Sequence, residues 1–148
     1  EALVNPKYID KVVGELLENK DINVGILVNP YFKKNSPSDI KVVLNKNNDV
    51  LYASRSDIPS DSRTKDPSKL KAYHIVPFRK PFLLKFAKWE KGALEKIEFN
   101  EYLRILEHGE RFRAVLVDSD AVSVDTYEDL EYVRKLMLED ELFETYKS

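Results

Sequence analysis

The sequence contains no cysteine, two histidines and four glycines among 148 residues. Each shortage removes a class of chemistry. Without cysteine there is no disulfide, no thiolate nucleophile and no zinc–thiolate site, which is compatible with a reducing compartment; the cytoplasm is the expected location. Gly14, Gly25, Gly92 and Gly109 stand too far apart for a G-x-G-x-x-G turn or a P-loop, so no glycine-rich phosphate cradle is visible. His74 and His108 lack the spacing of a metal pair, and no Ser or Thr is flanked as a nucleophile elbow. No apolar run approaches the roughly 20 residues of a membrane span, and no signal-peptide pattern opens the chain, so no membrane partner is expected. Neither charge dominates: 24 Lys and Arg face 26 Asp and Glu, for a net charge of −2. They are spread along the length without a basic face, and nucleic acid is not an expected partner.

What is present suits one α/β domain with a sizeable core. The chain starts at Glu1 rather than Met and runs directly into a helix start, so it is expected to be a piece of something longer. Asn5 and Pro6 supply an N-cap and a first helical residue. Tyr8, Ile9, Val12, Val13, Leu16 and Leu17 then mark one face of an amphipathic helix. Asn23 to Tyr31 reads as a buried strand. Ile40 to Leu44 and Val50 to Arg55 read as a hairpin around the polar turn Asn45 to Asp49. Ser56 to Lys71 is a polar segment of about sixteen residues, long for a connection in a compact domain; it is either a solvated loop or a lid or binding loop. Ala72 to Arg79 reads as a strand and Lys80 to Lys91 as a helix with a core-facing aromatic stripe. Leu94 to His108 reads as one helix closed by Gly109, and Arg111 to Val117 as a further strand.

Two places carry carboxylates that need a cause. On the helix expected over Leu94 to His108, steps of about 100° put Glu98 and Glu101 inside the apolar arc. An inward carboxylate is costly unless it is paired, for example with an Arg, hydrogen-bonded or functional. The second place is Ser123-Val124-Asp125-Thr126, where an extended run meets the start of a last helix. Asp125 there can cap the helix, with Thr126 and Asp129 at capping-box spacing, or hold a cation.

Three separated stretches resemble the CMP-Kdo synthetase family, the 3-deoxy-manno-octulosonate (Kdo) cytidylyltransferases. They are Asp39 to Leu44 with Leu51 to Pro59, then Leu94 to Arg104, then Val124 to Leu130. The family forms are VKVVLD followed by ALYFSRxxIP, LExIExLEQLR and GVDTPEDLE, in this order and at similar spacing. The resemblance implies a Rossmann-like nucleotide-diphospho-sugar transferase fold with a mixed sheet. It also implies that the N-terminal nucleotide-binding part lies upstream of Glu1, leaving residues 1–148 as the C-terminal sugar-binding and dimerisation portion. The implied reaction is attack of an acidic sugar's anomeric hydroxyl on the α-phosphate of CTP, with Mg²⁺, giving a CMP-sugar and pyrophosphate. By the same resemblance Asp125 is the metal-binding Asp, Ser54 and Arg55 form the family's SR pair near the sugar acid, and Glu101 contacts sugar hydroxyls with Tyr102 beside it. Glu98 is left structural. A homodimer is implied as well.

The departures from the pattern are local. The family strand HxGIYGYR appears as Ala72 to Arg79, so its sugar-contacting His and Tyr become Ala72 and Val76. The Gln of the family's EQ pair becomes Tyr102, and the Pro after VDT becomes Tyr127. These changes imply a pocket for a different acidic sugar, or a non-catalytic relative that keeps the fold for assembly or regulation.

Overall fold

The computed structural model describes residues 6–118. The Asn5 cap, the Asp125 hinge, Tyr127 and the expected last helix lie outside the described residues. Helix α1 (Pro6–Glu18) opens on a proline, which fits a helix start because the first N–H has no intrahelical partner in any case. It buries Val12 and Leu16 and leaves its charged side to solvent.

Five strands form one mixed sheet: β1 (Val24–Tyr31), β2 (Lys41–Leu44), β3 (Val50–Ser54), β4 (Lys69–Ala72) and β5 (Phe112–Leu116), in the order β3-β2-β4-β1-β5. β1 pairs antiparallel with β4 and parallel with β5. Both faces of β1 are covered, which is why it reads as an unbroken apolar run. Val24, Ile26 and Val28 join a core with Phe82, Tyr102 and Ile105, while Leu27 packs with Val12, Tyr73 and Val115 on the α1 side. The expected β2–β3 hairpin is present. Its turn is organised by Asn45, whose side-chain oxygen accepts from the backbone N–H groups of Asn47 and Asp49 at 2.8 and 3.0 Å.

The next region departs from expectation. The strand expected over Ala72 to Arg79 is β4, which occupies the end of the expected polar loop and stops where the strand was to begin. Past Ala72 the chain still runs beside β1: Tyr73 N donates to Leu27 O, Leu27 N to Ile75 O, and Gly25 N to Pro77 O. His74 takes a left-handed φ of 62° and Pro77 has no N–H, so the ladder is irregular there. Helix α2 (Lys80–Lys88) ends before the expected Lys91, with Trp89 as its C-cap.

The single helix expected over Leu94 to His108 is two, α3 (Ala93–Glu98) and α4 (Tyr102–Glu107). Phe99 sits in the left-handed region at φ 50° and ψ 51°. Asn100 is buried; its amide donates to Ala53 O at 3.1 Å and its carbonyl oxygen accepts from Tyr102 N at 3.2 Å. Such side-chain bonds to backbone compete with helix continuation. The break resets the helical phase. Glu101 emerges to solvent, Glu98 turns half-buried toward β3, and the buried carboxylate is Glu95. Gly109, at φ +73°, closes α4 as expected, with its N–H on Leu106 O.

Candidate functional site

Glu95 shows what an inward carboxylate on this face requires. Arg104 grips it with two hydrogen bonds, Nε to Oε1 at 2.7 Å and Nη2 to Oε2 at 2.6 Å. The Arg104 guanidinium holds the Glu95 carboxyl below its ordinary range, against the opposing effect of burial. The buried Arg pair anticipated for Glu98 or Glu101 therefore exists one turn earlier.

Glu98 has a different set of partners. It accepts from Tyr52 Oη at 3.0 Å, from Ser54 Oγ at 3.1 Å and from the Arg55 backbone N–H at 2.7 Å. The Arg55 side chain returns the contact. Its Nε donates to Glu98 O at 2.6 Å, Nη2 to Phe99 O at 2.8 Å and Nη1 to Pro37 O at 2.7 Å. Carbonyl oxygens at the end of α3, left without helical partners, thus face a guanidinium. Ser54, Arg55 and Glu98 form one unit that ties β3 to the α3–α4 break and to the turn at Pro37.

Arg55 also lines an open cleft of about 1210 Å³. Its walls come from the segment after β1, including Phe32 and Lys33, and from the polar stretch after β3, including Ser56, Asp57 and Ser60. The polar segment is thus a wall of a cleft rather than a detached loop, and Lys69 at its end contributes too. Asp57 anchors one side. It accepts from Asn35 N at 2.9 Å and Tyr31 Oη at 3.1 Å, and lies 3.3 Å from Lys41 Nζ. Burial alone would raise its pKa, but these three partners outweigh burial and hold the carboxyl below its ordinary value. Lys41 is fully buried and also donates to Ser36 O and Arg55 O at 2.7 and 2.6 Å.

The remaining expected residues lie elsewhere. Glu101 is exposed and lines a second, smaller recess of about 360 Å³ with Lys91, Lys96 and Arg104. Tyr102 is buried, and its hydroxyl lies 2.6 Å from His74 Nδ1, with the two rings stacked. Ser54 and Arg55 are brought together, Glu101 stands in the second recess, and Tyr102 closes on His74. Asp125 lies outside the described residues. Lys33, Lys69, Tyr31 and Asp57 were not legible as site residues, because nothing in their spacing marks them; only the length of the polar segment pointed to the cleft. Among the described residues no group of three or more His, Asp or Glu is arranged to hold a metal ion, so these residues do not place Mg²⁺. No helix among them is long and apolar enough to cross a membrane.

Residues 1–112 match the family model described as cytidylyltransferase. The chain belongs to the cytidylyltransferase family. Curated relatives narrow the likeness. The 3-deoxy-manno-octulosonate cytidylyltransferase of Fusobacterium nucleatum is 32% identical over 136 residues, covering 90% of this chain and 56% of that protein. The enzyme of the same name from Coxiella burnetii (strain Dugway 5J108-111) is 36% identical over 146 residues, covering 90% of this chain and 59% of that protein. A solved structure of CMP:2-keto-3-deoxy-manno-octonic acid synthetase complexed with CTP superposes with a TM-score of 0.84 at 28% identity. The match covers 92% of this chain and 57% of that one. The chain therefore spans less than three fifths of the length of these relatives. The mixed α/β fold expected from the resemblance is the fold observed.

Proposed function

We propose that this cytidylyltransferase-family chain supplies the sugar-binding half of an enzyme that activates Kdo or a related acidic sugar with CTP, releasing pyrophosphate. The observation that supports this most is the family match over residues 1–112 joined to an open cleft whose lining includes Arg55, Asp57 and Lys69. Joining an anionic sugar to a triphosphate brings like charges together, so the site must neutralise charge and hold the attacking hydroxyl in line. In our assignment Ser54 and Arg55 stand at the sugar's acidic end, while Glu101 and Tyr102, assigned to its hydroxyls by the resemblance, stand outside the cleft, in another recess and against His74. Arg55 is suited to this because three backbone carbonyls fix its guanidinium before any ligand arrives. Asp125 is assigned to Mg²⁺, which would offset phosphate charge when bound. CTP, a homodimer and a cytoplasmic location complete the proposal by analogy with the family.

A second function, a non-catalytic relative used in assembly or regulation, is favoured by one observation. Where the family carries a sugar-contacting His and Tyr, this chain has Ala72 and Val76, and Tyr102 is engaged by His74. Pyrophosphate release separates the two. The full-length polypeptide with CTP, Mg²⁺ and a panel of 3-deoxy-2-ulosonic acids is expected to turn over at least one acid. No release with any of them would leave the assembly role standing.

A further inference from the structure

The Lys41 side chain on β2 is wholly buried and has no surface in the cleft, yet its ammonium serves both cleft walls. Nζ donates to Ser36 O at 2.7 Å, on the wall that follows β1, and to Arg55 O at 2.6 Å, where the wall after β3 begins. Asp57 Oδ1, on that second wall, lies 3.3 Å away, and the ammonium stands 4.9 Å from the centre of the Tyr31 ring. Tyr31 and Asn35 join the walls again. The Tyr31 hydroxyl donates to Asp57 Oδ1 and accepts from Ser36 N, while Asn35 N donates to Asp57 Oδ2 at 2.9 Å.

These bonds close a ring around Arg55. Lys41 joins the Arg55 carbonyl to the Ser36 carbonyl, and the next carbonyl along, Pro37 O, accepts from Arg55 Nη1 at 2.7 Å. With Nη1 on Pro37 O and Nη2 on Phe99 O, each terminal nitrogen of Arg55 keeps one N–H uncommitted. Stability is a poor reason for the ammonium. Burying one is costly, and a well-packed apolar side chain of similar length is often as stable or more so. What an apolar side chain cannot do is hold acceptors together. Ser36 O, Arg55 O and Asp57 Oδ1 converge on Nζ; with no donor between them these oxygens repel, and the walls part.

We infer that Lys41 is a positioning residue of the acid-binding cleft: without touching the ligand, it holds the Ser36–Pro37 turn against Arg55, so that the guanidinium keeps one orientation for the sugar's acidic end. This rests on the proposed acidic-sugar substrate and on the assignment of Arg55 to its acidic end. It adds to that reading a residue behind the cleft wall, whose effect on the substrate passes through Arg55.

The test uses the full-length polypeptide with CTP, Mg²⁺ and a 3-deoxy-2-ulosonic acid that it turns over. Lys41→Met keeps the stem and removes the ammonium. It is expected to raise KM for the acid and to lower kcat/KM about 100-fold, the scale of a misplacement of about 1 Å, with KM for CTP unchanged. Because Lys41 acts through Arg55, the double variant carrying Lys41→Met and Arg55→Met should be no worse than Arg55→Met alone. A purely structural role gives losses that add in the double variant, or a fall in kcat with neither KM moved. Either result in folded protein overturns the inference and leaves the acidic-sugar function intact. Should Lys41→Met fail to fold, heteronuclear NMR of isotope-labelled wild type decides. The Lys41 ammonium, identified by its contact with the Tyr31 ring, should exchange slowly with solvent both with and without the acid. Fast exchange in the free enzyme would mean that the walls are not held before the ligand arrives, and the inference falls. If wild type neither binds nor turns over any acid, the substrate assignment falls, and the inference with it.

Discussion

Replacing Glu98 by Ala probes the unit that ties β3 to the α3–α4 break. The carboxylate accepts three donors, Tyr52 Oη, Ser54 Oγ and Arg55 N, at 2.7 to 3.1 Å. A hydrogen bond to a charged group contributes about 1.5 to 3 kcal/mol, less where water can replace it. Tyr52 is half-buried and can turn to solvent, so its loss costs little. Ser54 is buried and the Arg55 N–H points at the carboxylate, so both are stranded. Counting the two stranded donors at the low end gives about 3 kcal/mol. For a domain of this size that is a drop in Tm on the order of 6 to 12 °C. Urea unfolding followed by the fluorescence of Trp89 would measure it, since the chain has one tryptophan. Glu98→Gln, which still accepts, should recover about half. A cycle with Tyr52→Phe should give a coupling of less than about 1 kcal/mol. A Glu98→Ala loss under 0.5 kcal/mol would mean that the carboxylate does not hold these elements together, and the assignment of Glu98 as structural would fall.

Other expectations follow from the same region and from the Glu95 pair. Phe99 is 82% exposed and left-handed, so Phe99→Gly should stabilise the protein by about 0.5 to 1 kcal/mol, read as a higher urea midpoint at unchanged m-value. Asn100→Ala strands the Tyr102 N–H and Ala53 O in the interior and should cost about 2 kcal/mol in the same assay. The Glu95 pKa is lowered in the folded state, so its contribution is fully present above the unfolded carboxylate value and is lost as pH falls through the folded one. Glu95→Ala should therefore cost about 3 kcal/mol at pH 7 by leaving Arg104 unpaired in the interior, and the gap to wild type should narrow below about pH 4, as thermal melts across pH would record.

The elements with an uninterrupted period were legible from sequence. α1 and the β2–β3 hairpin came out as the spacing of apolar residues and the Asn45 to Asp49 turn imply, although of the expected α1 face Val12 and Leu16 are buried while Ile9 and Leu17 are exposed. The break at Phe99 and Asn100 was not legible, since both residues fit the apolar and polar positions of a continuous helix. The Asn100 side chain favours stopping through its bonds to Ala53 O, made across the fold, and from Tyr102 N. One error of phase then misplaced the buried carboxylate, from Glu95 to Glu98 and Glu101. The displacement of β4 has a similar origin: Ala72 to Arg79 is rich in strand formers, but His74 and Pro77 disrupt its ladder, while charged Lys69 and Lys71 belong to the sheet, in register with Tyr31 and Asn29 of β1 and with their side chains mostly buried. The Arg55 position was visible through the SR pair of the family pattern. Its carbonyl partners were not, because Pro37 on one side and the adjacent Glu98 and Phe99 on the other are distant in sequence from it.

The most direct test of the proposed division of labour is a calorimetric titration of the 148-residue chain with a 3-deoxy-2-ulosonic acid and, separately, with CTP. A chain that carries the sugar-binding half should bind the acid in the micromolar to millimolar range and give no saturable heat with CTP alone. Saturable binding of CTP without the sugar, or no binding of any acid by a folded chain, would contradict it.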